Sequence, residues 1–383
     1  MHNHRKIALI LLLPLLLMFF PGTALANIDV NAGSAILMEA STGQILYEKN
    51  SEKALPPASI TKIMTLLVIF EALEKEQITW DEKVVVSENA WRMQGSQMFL
   101  EIGQEVTVRD LVKGISIVSG NDACVAMAEH LYGSEAAFVR VMNERAQELG
   151  LENTKFQNST GWPAENHYMS AKDIALLAQY LISTYPEVIE FEAQKEFTFN
   201  NIRQYNRNTL LGRYPGADGL KTGLTTEAGY CLVATAVQND IRMISVVLNT
   251  ASEEARHTAS QEILNYGFRN FEPLEIAKAG ETVGQVNIHE GRKKLLNVTV
   301  AEDYTVFIPH DSKDKIEQVL VAKEDLKAPI KKGEIAGTLE IRSEDEIITS
   351  VDVVAQEDMK RANILVRAFR WIGGFFSGLF SKG

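Results

Sequence analysis

Residues 60–70 are apolar at nearly every position, with Lys62 the single charge among them, a pattern that predicts a helix buried on all sides. Ahead of it, the runs Ala35-Ile36-Leu37-Met38 and Gln44-Ile45-Leu46-Tyr47 flank Ser41-Thr42-Gly43 and predict a β-hairpin. Between about 79 and 183 the hydrophobic period is mostly helical, with segments near 108–118, 122–132, 135–149 and 171–184 set apart by Gly, Asn and Ser. Strands return at 229–237 and 241–249, joined through Asn239-Asp240, and a helix from Ser252 to about Tyr266 follows. Strands from the two ends of this stretch would form one sheet with the helical lobe inserted between them, an α+β unit over about 27–272. From Pro273 the texture changes to short alternating runs at 305–308, 319–321 and 347–354, separated by turns such as Lys331-Lys332-Gly333. That predicts a small all-β domain over about 273–357, with no catalytic constellation and the character of a spacer or docking module.

The two ends read differently. His4-Arg5-Lys6, an apolar run over 7–20 and then Ala24-Leu25-Ala26 have the order of a secretory signal peptide over 1–26. The run is shorter than the ~20 residues a spanning helix needs, so cleavage after Ala26 and a mature chain from Asn27 are expected. Over 358–383, Ile364, Leu365, Ala368, Phe369, Ile372, Phe375, Phe376, Leu379 and Phe380 recur at three- and four-residue spacing, one apolar helical face. Lys360, Arg361, Arg367, Arg370 and Lys382 add positive charge and Trp371 suits an interface, so an amphipathic helix lying on anionic membrane lipid is expected. Arg367, Arg370 and glycines interrupt the apolar stretch and argue against spanning. Together the ends place the protein outside the cytoplasm, on the outer face of the cytoplasmic membrane.

Length and composition narrow the chemistry. The 383 residues, 46% hydrophobic and 23% charged, are ordinary for two or three globular domains. The formal charge of −12 becomes −14 once Arg5 and Lys6 leave with the leader, which argues against nucleic acid as partner. Cys124 and Cys231 sit in apolar contexts and are expected as two buried free thiols. The histidines are scattered, no Cys/His cluster has metal spacing, and glycine-rich phosphate loops are absent, so neither metal nor cofactor is implied.

Candidate chemistry begins at Pro57-Ala58-Ser59-Ile60-Thr61-Lys62, where a serine stands at the expected helix start and a lysine one turn later. Positions i and i+3 share a helix face, so the Lys62 amine can reach the Ser59 hydroxyl. Apolar surroundings penalise an ammonium and lower its pKa, and a neutral amine can deprotonate a serine. Unpaired N–H groups and the positive dipole end at a helix start would favour an oxyanion there. Ser312-Lys313-Asp314-Lys315 has the same spacing, but in a polar stretch with no apolar helix, and reads as a solvated loop. Ser119-Gly120-Asn121 ends the helical pattern near Val118, with a glycine that lets the chain turn and present a hydroxyl and an amide to one cleft. Lys221-Thr222-Gly223 lies just before the expected strand at 229–237; a strand edge there can receive an extended peptide, and Lys221 and Thr222 can bind a carboxylate.

Ser-x-x-Lys, Ser-x-Asn and Lys-Thr-Gly, in that order, are the motif set of β-lactamases and penicillin-binding proteins. With Gly120 in the middle motif and Asp218-Gly219-Leu220 before the third, the chain resembles the serine D-alanyl-D-alanine carboxypeptidases, the low-molecular-mass penicillin-binding proteins, over nearly its whole length. The resemblance implies a penicillin-binding-protein-like transpeptidase fold and hydrolysis of the terminal D-Ala-D-Ala bond of peptidoglycan stem peptides, with β-lactam antibiotics as inhibitors. It further implies Ser59 as acylated nucleophile, Lys62 as base, Ser119 as proton relay and Asn121 as holder of the substrate amide. Lys221, Thr222 and Gly223 would bind the carboxylate end, N–H groups of Ser59 and Leu224 would form the oxyanion hole, and Arg256 would meet the terminal carboxylate. Leu224 stands where some relatives carry histidine. A D,D-endopeptidase of peptidoglycan cross-links shares these motifs. A β-lactamase would need a further carboxylate for deacylation, and Gly161-Trp162-Pro163-Ala164-Glu165-Asn166 offers a glutamate without the common pattern.

Overall fold

A computed structural model describes residues 28–364 apart from Asp345. The expected signal peptide and the expected tail helix from 365 onward lie outside the described residues.

The chain opens with a hairpin, β1 (Ser34–Glu39) and β2 (Ile45–Lys49), and a single 3-10 turn (Ala58–Thr61) leads into α1 (Lys62–Glu74). Next come β3 (Lys83–Val85), α2 (Glu88–Trp91), β4 (Glu105–Thr107), α3 (Val108–Ser116), α4 (Asn121–Tyr132), α5 (Glu135–Glu148), α6 (Ala171–Thr184) and α7 (Val188–Glu192). A small hairpin, β5 (Glu196–Phe199) and β6 (Ile202–Tyr205), precedes β7 (Ala217–Thr225), β8 (Gly229–Gln238), β9 (Ile241–Thr250) and α8 (Glu253–Asn270). Serine or threonine caps start several of these helices: Thr107, Ser134, Ser170 and Ser252 each accept an N–H three residues on.

The first and last strands of this unit meet in one antiparallel sheet, in the order β2-β1-β9-β8-β7, with the helical lobe inserted between them as the pattern predicts. Alternate residues divide between its faces. Ile36, Met38, Val233, Ile244 and Val246 join the core of the helical lobe, while Ala35, Leu37, Leu232, Ala234 and Val247 pack under Ile263 and Leu264 of α8. Both faces being covered, β8 reads as an unbroken apolar run rather than an alternation. Helix α1 is buried from Lys62 to Ala72, as its all-round hydrophobicity requires.

A second unit begins at Phe271. Strands β10 (Phe271–Ala277), β11 (Gly284–Asn287), β12 (Leu295–Val300), β13 (Tyr304–Pro309), β14 (Ile316–Ala322), β15 (Ile335–Ser343) and β16 (Glu346–Ala355) enclose a separate apolar core. They form the pair β10-β13 and a sheet ordered β11-β12-β16-β15-β14. Its link to the first unit includes the Gln44 amide, which donates to Phe307 O at 2.8 Å and accepts from Phe307 N at 2.7 Å. Two expected boundaries shift. Pro273 is an interior residue of β10, paired with Phe307, so the change of unit falls at the end of α8. Met359 and Ala362 are buried, and Met359 exchanges backbone hydrogen bonds with Ile330, so the chain belongs to the β unit beyond 357. Among the described residues no helix is long and apolar enough to cross a membrane.

Candidate active site

Four segments converge on Ser59. The turn that carries it is 3-10 rather than the first turn of α1, a local tightening that puts Ser59 one step ahead of the helix and Lys62 at its first position. Ala58 takes φ +48° to make this turn, a left-handed conformation that a Cβ-bearing residue holds only when its surroundings impose it. Gly161 is part of that constraint: a Cβ there would lie 1.8 Å from Ala58 O, so only glycine lets the two backbones touch.

Lys62 Nζ lies 3.0 Å from Ser59 Oγ, 2.7 Å from Asn121 Oδ1 and 2.7 Å from Thr160 O. The side chain is wholly buried, and burial pulls its pKa down to about 8, with Arg207 adding to the effect and Cys124 and Asp122 opposing it. Thr160 O is aimed by its loop: Asn158 Oδ1 accepts the N–H groups of Gly161 and Trp162 at 2.8 and 3.1 Å, and Thr65 of α1 donates to Ser159 O at 2.6 Å. Asn121 is the first residue of α4, not part of a free loop. Its Nδ2 donates to Gln94 O at 2.6 Å and its own N–H to Ser96 O at 2.7 Å. Asp122 fixes the next stretch of that loop, accepting from Met98 N at 3.0 Å and Leu100 N at 3.2 Å. Asn121 thus holds Lys62 through its amide oxygen, while its amide nitrogen donates to the Gln94 carbonyl.

Ser119 stands between α3 and α4 at φ +62°, again left-handed, and its buried Oγ has no hydrogen-bond partner among the described residues. Lys221, Thr222 and Gly223 precede strand β8 as expected and themselves lie within β7, the edge strand of the large sheet. Gly223 faces the nucleophile turn, where a Cβ would meet Pro57 O at 2.9 Å and Ala58 Cβ at 3.2 Å. Lys221 is buried, and Leu224 is 54% exposed at the mouth. A cavity of about 300 Å³ is lined by Ser59, Asn121, the 160–163 loop and residues 224–227, and shares Gly161, Trp162, Pro163, Thr225 and Glu227 with a flanking cavity of about 380 Å³. Glu165 is exposed and lines only the flanking cavity. Arg256 sits on α8 behind β8, its Nη1 3.5 Å from Cys231 O and its guanidinium over the Tyr230 ring, so it is not on the cavity wall. Cys124 and Cys231 are buried free thiols, and burial pushes them up to about 12 and about 11.

Three contributors were not picked out in the sequence: Thr160, through its carbonyl; Arg207, whose charge reaches Lys62, Lys221 and Arg256; and Glu192. Glu192 ends α7 wholly buried, its carboxylate beside the Ser116 hydroxyl and facing the charge of Lys221. Its only sequence signal is an acid after the apolar Phe191.

A serine and a buried lysine amine at hydrogen-bond distance, set between a sheet edge and an inserted helical lobe, define a serine peptidase of the penicillin-binding-protein class. The comparisons agree. Residues 22–252 match the D-alanyl-D-alanine carboxypeptidase family, and 271–361 match the C-terminal domain of penicillin-binding protein 5. The chain is 40% identical over 377 residues to D-alanyl-D-alanine carboxypeptidase DacF of Bacillus subtilis, covering 95% of this chain and 97% of the relative. Penicillin binding protein 5 from Haemophilus influenzae superposes with a TM-score of 0.82 at 34% identity, over 88% of this chain and 99% of that one. The ampicillin-bound form of penicillin-binding protein D2 from Listeria monocytogenes matches at TM-score 0.58 and 34% identity, over 63% of this chain and 99% of that one. The chain belongs to the D-alanyl-D-alanine carboxypeptidase family and is a serine peptidase, as its motifs imply.

Proposed function

We propose that this enzyme removes the terminal D-alanine from peptidoglycan stem peptides ending in D-Ala-D-Ala through an acyl-enzyme on Ser59. The observation that carries the assignment is the environment of Lys62. Two oxygens at 2.7 Å take the two N–H bonds of a neutral amine and leave its lone pair for the Ser59 hydroxyl at 3.0 Å. Ser59 gives its proton to Lys62 as Oγ attacks the carbonyl carbon of the penultimate D-alanine. The oxyanion is held by the N–H groups of Ser59 and Leu224. The C–N bond breaks, the leaving nitrogen takes a proton through Ser119, whose hydroxyl no protein group occupies, and D-alanine departs. Water attacks the ester as Lys62 takes its proton, the bond from the acyl carbon to Ser59 Oγ breaks, and Lys62 returns the proton to Oγ, restoring Ser59 and a neutral amine.

Lys221 and Thr222, with the positive charges of Arg207 and Arg256 nearby, supply the field that receives the substrate carboxylate. The sheet edge at β7 lets the peptide add as an extended strand, and Gly223 lets that edge lie close to the nucleophile turn. A β-lactam presents the same carbonyl and carboxylate, but its leaving nitrogen stays tethered, so the ester persists. Export through the amino-terminal leader and attachment by the tail to the outer face of the cytoplasmic membrane fit a polymeric substrate outside the cell. Fluorescent penicillin followed by peptide mapping tests the assignment: the adduct is expected on Ser59 and absent in Ser59→Ala. An adduct on another residue overturns it.

A further inference from the structure

The cleft does not end at the nucleophile. Its flanking cavity, about 380 Å³, is walled by the 161–165 loop, the prolines ahead of Ser59 and the turn after β7, while Ser59, Lys62 and Lys221 lie outside that wall. Which part of a substrate it meets follows from chain direction. The carboxylate end belongs at Lys221 and Thr222 and the attacked carbonyl at the N–H of Leu224, so the peptide runs antiparallel to β7. At about 3.3 Å per residue, the residue before the two D-alanines falls beside Thr225 and the turn that follows, where this cavity lies.

We infer that Glu165 and Glu227 form a cation subsite in this cavity for the side chain of that third stem-peptide residue, a methylene chain ending in a primary ammonium. The inference rests on the D,D-carboxypeptidase reading, which sets the direction of the peptide. The two glutamates reach the cavity from different segments, Glu165 from the loop between α5 and α6 and Glu227 from the turn between β7 and β8. Both are exposed, and neither carboxylate has a hydrogen-bond or ion-pair partner among the described residues. Among those residues no lysine or arginine lines the cavity. Its one histidine, His167, is held neutral: burial pushes its pKa down to about 4, and its Nε2 lies 2.9 Å from Thr61 Oγ1. Much of the remaining wall is apolar, with Pro56, Pro57, Pro163 and the 45% exposed Trp162. A methylene chain can lie along that indole and place its ammonium between the two carboxylates.

Both carriers are held in place. The Trp162 N–H donates to Asn158 Oδ1 at 3.1 Å, the Trp162 carbonyl accepts from Asn158 Nδ2 at 2.9 Å, and the Ala164 carbonyl accepts from His167 N at 3.2 Å. Across the cavity, Thr225 Oγ1 accepts from Ala228 N at 3.0 Å and closes the turn that carries Glu227. Two carboxylates with no counter-cation select by the net charge of what enters. A side chain bearing an ammonium alone fits, either lysine or diaminopimelate with its distal carboxyl amidated. Free diaminopimelate brings a carboxylate against both glutamates, and an amine already acylated in a cross-link brings no charge. The subsite therefore favours stem peptides not yet cross-linked through that amine.

The test is D-alanine release from synthetic stem peptides ending in D-Ala-D-Ala whose third residue is lysine, Nε-acetyllysine, diaminopimelate or diaminopimelate amidated at its distal carboxyl. In the wild-type protein kcat/KM for the lysine peptide is expected to exceed that for acetyllysine about five- to tenfold, the usual worth of one or two accessible ion pairs. The amidated diaminopimelate peptide is expected to exceed the free form by a similar factor. The faster of the lysine and amidated peptides identifies the source of the ammonium. In the double variant Glu165→Gln, Glu227→Gln both ratios are expected to fall to within about twofold of one. Each ratio is taken within one preparation, so any loss of folded protein cancels. A wild-type ratio within twofold of one for either pair overturns the subsite, as does a double variant that keeps the wild-type ratios, and both leave the carboxypeptidase reading standing. Release from none of the peptides, with a penicillin still acylating Ser59, removes the carboxypeptidase reading and the subsite with it.

Discussion

A neutral lysine amine has two N–H bonds to give, and Lys62 has two protein oxygens at 2.7 Å to receive them. That match turns a motif into a base, because the remaining lone pair points to Ser59. An arginine in its place keeps the charge but cannot lose a proton in this range, so Lys62→Arg is expected to lower penicillin acylation by at least about a thousandfold. Stopped-flow acylation with a reporter cephalosporin measures it, and a rate within tenfold of wild type would remove Lys62 as base. The sign of the pH dependence follows from the depressed pKa. The amine is the reactive form, so acylation rises about tenfold per pH unit below about 8 and levels above it. A raised lysine pKa would instead leave the rate climbing toward pH 10.

At the scale of elements, the site depends on three backbones meeting where side chains would keep them apart. Strand β7 touches the nucleophile turn at Gly223, and the 160–163 loop touches it at Gly161. Gly223→Ala puts a Cβ 2.9 Å from Pro57 O, a contact relieved only if the strand and the turn separate by several tenths of an ångström. Acylation is expected to fall about a hundredfold, because misplacement on this scale is costly for an oxyanion hole, while stability falls by only about 1–3 kcal/mol. A variant that melts like wild type and acylates at the wild-type rate would show that the contact does not set the geometry. These contacts also explain what the sequence could and could not tell. Helix α6 was legible because burial of one face wrote a period into it, and α1, β8 and β9 because burial on all sides wrote unbroken apolar runs. Strand β7 was not: its Gly219, Lys221 and Gly223 are poor strand formers, kept because substrate, not core, dictates them. Ser59 and Lys62 declared themselves by adjacency, three residues apart on one turn. Thr160 contributes a carbonyl that every residue possesses, and Glu192 sits on α7, which packs on β7 only after folding, so neither left a local pattern to read.

For the whole molecule, the question is where the folded body stops and the expected anchor starts. Ending the β unit at 357 would remove Met359, 3% exposed, and Ala362, 7% exposed, from its core, together with the Met359–Ile330 backbone pair. Arg361, counted in the sequence as positive charge for the membrane, forms an ion pair with Glu290. The expected anchor would therefore begin near Ile364, which is 80% exposed, and would keep Arg367, Arg370 and Lys382 and the apolar positions from Ile364 to Phe380. Two truncations of the mature chain distinguish body from anchor. Ending the chain after Asn363 is expected to abolish sedimentation with vesicles containing anionic lipid while leaving penicillin acylation and the melting temperature unchanged. Ending it after Glu357 is expected to abolish sedimentation as well and to destabilise the β unit by about 2–5 kcal/mol, the usual cost of emptying a buried methionine site. If the chain ended at Asn363 still sediments with anionic vesicles, another surface holds the membrane and the tail is not the anchor. Loss of vesicle binding by both forms, with destabilisation confined to the shorter, would place membrane attachment entirely beyond the last core residue, leaving a folded enzyme on a detachable lipid-binding helix.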